Sequence, residues 1–97
     1  MSILNWLEEW YQSTCDSERE HLYGVKIDTL DNPGWVVRID LADTLLQGKI
    51  FDNINIDNGD NDWIVCRVVN DIYEGFGDPY KLEKMLSVFK EWVEQNG

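Results

Sequence analysis

The fold of this chain is decided by the stretch YGVKIDTLDNPGWVVRIDL, residues 23–41. Apolar and polar residues alternate over 23–28 and again over 35–41, which is typical of strands that bury one face. Between the two runs lies Asp31-Asn32-Pro33-Gly34, where proline fixes φ and glycine permits a positive φ. The stretch therefore predicts an antiparallel β-hairpin.

Further strands are expected downstream of this hairpin. A strand over 50–56 is followed by the turn sequence at 57–61 and by the strand 63–69, which is the most apolar and is expected at the centre of the sheet. Asn70-Asp71 then forms a turn before a short last strand over 72–76. Short connections between successive strands favour an antiparallel meander.

An amphipathic helix is predicted before the strands. Apolar residues recur at helical spacing over 3–11, Ser2 is the expected N-cap, and the segment 13–17 ends the helix. Trp6 and Trp10 lie one turn apart and are expected to anchor this helix to the sheet.

A second amphipathic helix is predicted after the strands. Its apolar stripe runs over 82–93, with Asp78 or a neighbour as the cap and Pro79 at the first position. Together the patterns predict a two-layer α+β fold, in which an antiparallel meander of four or five strands carries the N- and C-terminal helices on one face. The opposite sheet face is left for solvent or a partner.

The length and charge of the chain limit the classes of function and partner that it can have. The 97 residues hold 8 Lys+Arg against 19 Asp+Glu, so the net charge is −11 and the pI is about 4.2. This length predicts a single domain over 1–97. The acidic balance excludes generic phosphate-backbone binding and disfavours anionic membranes, so neither nucleic acid nor a membrane is expected as a partner. No targeting segment is recognised, and Cys15 and Cys66 are expected as free thiols of a cytoplasmic protein.

Catalytic chemistry finds little support in the residues. His21 stands beside acidic and basic neighbours without a nucleophile at a recognisable spacing, and neither phosphate-loop nor zinc-protease motifs occur. We therefore expect no enzyme, no catalytic residues and no cofactor. An enzyme that uses Cys66 or His21 is kept as an alternative.

The segment 57–62, DNGDND, superficially resembles a calcium loop. An EF-hand loop needs ligands at positions 1, 3 and 5, glycine at 6 and glutamate at 12. Counted from Asp57, those positions include Gly59, Asp62 and Val68, so the pattern does not fit. We expect no metal ligands, although a small-ligand or metal-binding module using this turn stays the alternative function.

The negative charge is concentrated in the middle of the chain. Residues 28–78 hold 11 acids and 3 bases, whereas residues 79–97 hold equal numbers of each. This partition favours an acidic face that meets a basic protein, with an ordinary solvated surface as the alternative. The candidate partner-binding residues are Asp28, Asp40, Asp57, Asp60, Asp62, Asp71 and Glu74.

Several segments are similar in order to those of a known family. They are Asn5-Trp6-Leu7 with Trp10-Tyr11, Tyr23-Gly24-Val25-Lys26-Ile27, Leu30-Asp31-Asn32-Pro33-Gly34-Trp35, Asn61-Asp62-Trp63 and Glu74-Gly75-Phe76-Gly77-Asp78-Pro79. In these segments the chain resembles the immunity protein 53 family. The resemblance implies a small cytoplasmic antidote of a bacterial polymorphic toxin system, which blocks a cognate toxin by stoichiometric binding without catalysis.

The motif residues themselves are expected to be architectural. Gly34 would serve its turn, Trp35 and Trp63 the core, and Gly75 and Gly77 close approaches of the backbone. The expected mechanism is occlusion of the toxin's active site or substrate surface by the acidic sheet-and-loop side.

A homodimer through the open sheet face is a further alternative. Val36, Ile64 and Val68 are the residues expected to make that face apolar.

Overall fold

The computed structural model describes residues 2–14, 24–31, 33–42, 44 and 46–96. Its elements are α1 (Ile3–Thr14), β1 (Val25–Leu30), β2 (Gly34–Asp40), β3 (Ile54–Asp57), β4 (Trp63–Val69), β5 (Ile72–Gly77) and α2 (Leu82–Asn96). The predictions for Cys15, His21, Tyr23 and Asn32 fall outside the described residues. Within the described part of the chain, no helix has the length and apolarity needed to cross a membrane.

The five strands form one antiparallel sheet in the order β1-β2-β5-β4-β3. The predicted α+β fold, with an antiparallel sheet and helices at the two ends of the chain, is confirmed. The order of the strands departs from a simple succession once, because β2 pairs with β5 instead of β3. The chain thus forms a hairpin and a three-stranded meander that lie side by side.

The central strand is β5, so the prediction that residues 63–69 lie at the centre is wrong. Side-chain apolarity misled the prediction because a central strand can carry glycines where a helix approaches closely. A Cβ at Gly75 would lie 2.9 Å from the Sδ of Met85 in α2, and a Cβ at Gly77 would lie 2.7 Å from the Cβ of Lys81. The predicted close approaches at these two glycines are confirmed.

Gly34 also serves a close approach. The predicted turn does separate β1 from β2, but the φ of Gly34 lies outside the left-handed region. A Cβ at Gly34 would instead overlap the carbonyl oxygen of Gly77 on β5. The expectation that Gly34 serves the turn is therefore wrong, since the paired strand leaves no space for a side chain.

The connection from β2 to β3 is held against the sheet and α2. Asp71 accepts the backbone N–H of Gly48 through Oδ1 at 3.2 Å, and Trp92 donates Nε1–H to the carbonyl of Ile50 at 2.9 Å. The Phe51 ring meets the Trp92 ring edge-on, with centroids 5.2 Å apart. These contacts keep residues 50–53 out of the ladder, so β3 begins later than predicted.

The core lies between the sheet and the helices. Val37 and Ile39 are fully buried on the helix side of β2, whereas Arg38 between them is exposed, which confirms the predicted alternation. The buried cluster also contains Leu7, Leu41, Leu46, Ile64, Cys66, Tyr73, Met85, Leu86, Val88, Phe89 and Trp92.

Helix α1 is anchored to α2. Ser2 Oγ accepts the backbone N–H of Asn5 at 3.1 Å, which confirms Ser2 as the N-cap. The Trp6 and Trp10 rings both meet the Phe89 ring of α2, at centroid distances of 6.0 and 5.0 Å. The expectation that these tryptophans anchor α1 to the sheet is therefore corrected, because α2 packs against the central strands and offers Phe89 to α1.

The segment 78–81 is a turn that precedes α2. Pro79 lies in this turn instead of at the first helical position, and its carbonyl accepts Nε1–H of Trp35 at 3.0 Å. Asp78 accepts the backbone N–H of Tyr80 at 2.8 Å, so its carboxylate caps the turn. The first bond of α2 runs from Met85 N–H to the carbonyl of Lys81. The predicted helix start is thus wrong by one turn.

Candidate functional site

The sheet face that points away from the helices is the open face. The strand register aligns two rows of side chains across it. The charged row is Lys26, Arg38, Glu74 and Arg67, and the apolar row is Val36, Phe76 and Val65. Both rows cross the middle of the sheet on the side away from α1 and α2.

Glu74 holds the charged row together. Its Oε2 accepts Nε–H of Arg38 at 3.2 Å, and its Oε1 accepts Nε–H of Arg67 at 3.0 Å. The two guanidinium carbons lie 5.5 and 5.3 Å from the centroid of the Phe76 ring. Each guanidinium is therefore positioned by one carboxylate and one aromatic ring.

The outer ends of the two arginines face solvent. Their side chains are 49% and 47% exposed, whereas the Glu74 side chain is only 16% exposed. Both ion pairs use Nε, so the terminal amino groups of Arg38 and Arg67 can still donate to a partner. The middle of the open face thus presents cationic hydrogen-bond donors.

The predicted acidic face is divided in the structure. Asp28, Asp40, Asp57 and Glu74 occupy open-face positions of their strands. Asp60 and Asp62 lie in the turn between β3 and β4, and Asp71 lies in the turn between β4 and β5, at the opposite end of the sheet. The structure therefore does not bring all seven candidates together, and the row between them carries three cations and one carboxylate.

Several of these aspartates accept hydrogen bonds from backbone N–H groups one or two residues further along the chain. Asp57 Oδ1 accepts the backbone N–H of Gly59 at 3.1 Å, and Asp40 Oδ1 accepts that of Ala42 at 3.0 Å. Asp28 Oδ1 accepts the backbone N–H of Thr29 at 2.8 Å. Local hydrogen bonds of this kind explain why aspartate is common here without any ligand.

Asp62 belongs to an ionic cluster at one end of the sheet. Lys81 Nζ lies 2.9 Å from Asp62 Oδ1 and 2.8 Å from Asp78 Oδ2. The hydrogen bond from Lys81, followed by that from Asn58, lowers the pKa of Asp62. Hydrogen bonds to Asp78 and Asp62 raise the pKa of Lys81. The cluster links the turn between β3 and β4 to the segment that leads into α2.

Asp78 is the buried member of this cluster, and sequence reasoning assigned it only as a cap of the last helix. Its Oδ2 accepts the backbone N–H of Trp63 at 2.9 Å, and the residue is inaccessible to solvent. The hydrogen bond from Lys81 is the largest cause of its lowered pKa, and the backbone N–H groups of Tyr80 and Trp63 act in the same direction. An aspartate between Gly77 and Pro79 was a signal for a turn, but not for a bond to a distant strand.

The alternative functions gain no support from this geometry. Among the described residues, no group of three or more His, Cys, Asp or Glu side chains could hold a metal ion. Cys66 is buried, and desolvation raises the pKa of its thiol, which opposes formation of the nucleophilic thiolate. The hydroxyl of Tyr73 lies 3.3 Å from Cys66 Sγ and donates to the carbonyl of Met85 at 2.7 Å.

The apolar residues predicted for the open face need correction. Ile64 is buried in the core with 2% of its surface exposed, and Val68 packs against the core. Both point to the same face of β4 as the buried Cys66, because alternate residues of a strand share a face. Of the three predicted residues, only Val36 lies on the open face. Trp63 has the opposite parity and pairs with Asp57, so its predicted core role is also wrong. Trp35, in contrast, packs against the core as predicted.

The chain was compared with protein families, curated proteins and solved structures. The family described as immunity protein 53 matches residues 4–94. The chain belongs to the immunity protein 53 family. This result confirms the resemblance seen in the sequence and supports an immunity function. The comparisons with curated proteins and with solved structures gave no match.

The family match covers all five strands and all but the terminal residues of the two helices, including the rows of the open face. Membership therefore concerns the whole two-layer unit and not an isolated motif. Within this member of the immunity protein 53 family, the open face is the candidate functional surface.

Proposed function

We propose that this protein neutralises a cognate bacterial toxin domain in the cytoplasm by stoichiometric, noncatalytic binding. The open face and the acidic turn beside it occlude the toxin's active site or substrate surface. Family membership over residues 4–94 is the single observation that carries this proposal. The described geometry supports it by leaving one sheet face uncovered, with arginine and aromatic side chains in its middle.

The area of the open face can be compared with the area that a stable complex with the toxin would bury. Five strands about 4.8 Å apart, each rising about 3.3 Å per residue, give a face of roughly 20 by 20 Å. A stable complex buries about 800 Å² on each partner. The face alone supplies about half of this area, so a turn at its edge must contribute as well.

The acidic residues at the edge suit a basic toxin. Asp57 lies at the end of β3, and Asp60 and Asp62 follow in the adjoining turn, all of them exposed. With a net charge of −11, the protein attracts a basic partner over a distance and speeds encounter. Asp28, Asp40, Asp71 and Glu74 remain candidate contacts within the same proposal.

The test is a titration against the toxin domain encoded by the neighbouring gene. The purified protein is added to this domain, and toxin activity and complex mass are measured together. We expect inhibition to be complete at one equivalent and to coincide with a one-to-one complex. Protection at far below one equivalent would indicate enzymatic detoxification, and a complex that keeps full toxin activity would contradict occlusion.

A noncognate toxin domain of similar charge serves as the control. Binding that depends only on net charge would occur with both domains and disappear at high salt. Cognate neutralisation should persist with the cognate domain alone.

A further inference from the structure

We propose that Arg38 and Arg67, named the guanidinium pair, bind one acidic side chain on the surface of the toxin domain. This inference rests on the proposed function and names the chemistry that its central contact recognises. The two arginines stand on β2 and β4, on either side of Glu74 in the central strand β5. They are therefore about two strand spacings apart at the backbone, roughly 10 Å, and converge on one ring.

The guanidinium pair is held in place before any partner arrives. Glu74 fixes both Nε atoms, and the Phe76 ring lies within 5.5 Å of both guanidinium carbons. Side chains that are already ordered lose less conformational entropy on binding. A carboxylate has two oxygens, each able to accept hydrogen bonds, so it can engage the terminal amino groups of both arginines.

The charge of the row is unbalanced in the free protein. Glu74 is one carboxylate that pairs with two arginines, Arg38 and Arg67, although the whole chain carries −11. Exposed ion pairs contribute only about 0–1 kcal/mol to folding. Stability alone gives little reason to place both described arginines at the middle of this face, whereas recognition of an anionic group does.

The surroundings favour an acidic protein side chain over a nucleic acid. Asp28, Asp40 and Asp57 lie on the same face and would repel a chain of phosphates. The apolar row beside the guanidinium pair offers Phe76 and Val65 to an apolar neighbour of the bound carboxylate. Arginine and aromatic residues at the centre of a surface are typical of residues that dominate protein–protein binding.

The first arm of the test removes the guanidinium groups. Arg38→Gln/Arg67→Gln is compared with Lys84→Gln/Lys90→Gln, which changes the net charge equally but lies on α2. Affinity for the toxin domain encoded by the neighbouring gene is measured by calorimetry and by surface kinetics. We expect the guanidinium-pair variant to lose about 100-fold or more in affinity, mainly through faster dissociation, and the α2 variant less than about 3-fold.

Folding is checked in the same variants. The glutamine changes remove both charged partners of Glu74, which is only 16% exposed, so a moderate fall in melting temperature is expected. Affinities are therefore compared at a temperature at which the guanidinium-pair and α2 variants are both folded. Arg38→Lys/Arg67→Lys keeps the charge but loses the planar fork. Its affinity should fall between that of the glutamine variant and that of the unaltered protein. Equal affinity of the lysine variant and the unaltered protein would show that no guanidinium fork is used.

The second arm reverses the charges at the contact and asks whether the opposite reversal in the toxin domain restores binding. A merely structural role of the arginines would not allow such a restoration. Arg38→Glu/Arg67→Glu is expressed with the toxin domain, and toxin variants that restore a complex are selected. We expect restoring changes that convert a toxin Asp or Glu to Lys.

The outcomes separate this inference from the proposed function. If the unaltered protein binds the toxin domain and the guanidinium-pair variant binds equally well, the inference is overturned and the proposed function stands. If the unaltered protein does not bind the domain at all, the proposed function fails. If a single-stranded oligouridylate binds in an arginine-dependent manner while toxin affinity is unchanged, the pair recognises phosphate and the inference is wrong.

Discussion

Asp78 and Trp63 are joined by two hydrogen bonds across the end of the sheet. The Asp78 carboxylate accepts the Trp63 backbone N–H at 2.9 Å, and the Asp78 backbone N–H donates to the Trp63 carbonyl at 3.2 Å. The second oxygen of Asp78 accepts the N–H of Tyr80. One buried carboxylate therefore fixes the path from β5 into α2 relative to the start of β4.

Removing this carboxylate should destabilise the fold. We expect Asp78→Ala to lower the melting temperature by about 5–10 °C, because the N–H groups of Trp63 and Tyr80 lose their acceptor. Asp60→Ala is the control, since Asp60 is exposed at the tip of a turn. Equal melting temperatures of the two variants in a calorimetric scan would show that Asp78 has no such role.

The same cluster should make stability depend on acid. The pKa values of Asp62 and Asp78 are lowered from 3.8, chiefly by hydrogen bonds from Lys81. A lowered folded-state pKa contributes stability that is fully present above the unfolded value, and it is lost as the pH falls below about 4. We expect Lys81→Gln to be less stable than the unaltered protein at pH 7, and the difference to shrink between pH 4 and pH 2. Urea titrations across this range measure the difference, and a constant difference would contradict the assignment.

Two glycines should respond differently to an added methyl group. Gly34→Ala places a Cβ against the carbonyl oxygen of Gly77, which is held in the sheet. Gly75→Ala places it against the side chain of Met85, which can move. We expect Gly34→Ala to cost more, about 3 kcal/mol against about 1 kcal/mol for Gly75→Ala. Unfolding in urea measures both, and the reverse order would show that the paired strands separate more easily than Met85 repacks.

The Tyr73 hydroxyl should contribute to stability without affecting toxin binding. It donates to the Met85 carbonyl at 2.7 Å from a fully buried position. We expect Tyr73→Phe to lower the free energy of unfolding by about 1–2 kcal/mol. Toxin affinity should be unchanged, because the residue faces the helices and not the open face. An unchanged free energy of unfolding would mean that the hydrogen bond from Tyr73 to the Met85 carbonyl does not stabilise the protein.

Edge carboxylates should govern the rate of association. Asp28→Lys/Asp60→Lys changes one charge on the edge strand of the open face and one in the adjoining turn, and Glu8→Lys/Glu9→Lys makes an equal change on the exposed side of α1. We expect the first variant to associate with the toxin domain about 10-fold more slowly at low salt, with a weaker salt dependence, and the second to change less. Equal rates for both variants would assign the effect to net charge alone. Asp62 is left unaltered because it pairs with Lys81.

Sequence reasoning found the carboxylates of the candidate site but missed its arginines. Lys26 and Arg38 occupy polar positions of alternating strands, whereas Arg67 interrupts the apolar run of β4, so only the first two could be assigned to a face strand by strand. Their alignment depends on register and on the pairing of β2 with β5, for which local patterns carry no signal. The net charge of −11 favoured acidic residues as the candidate contacts and gave no indication of a cationic row.

The sequence by itself determined the element types, the N-cap at Ser2, the buried parity of β2 and the family, because these depend on local periodicity, turn chemistry and motif order. The tertiary structure alone decided that β5 is central, that α1 rests on α2, and that Glu74 lies between two arginines. The physical reason is that strand order, helix docking and cross-strand neighbours are set by contacts between segments distant in the chain. The sequence predicted an acidic face, whereas those contacts give the open face a cationic middle and acidic edges.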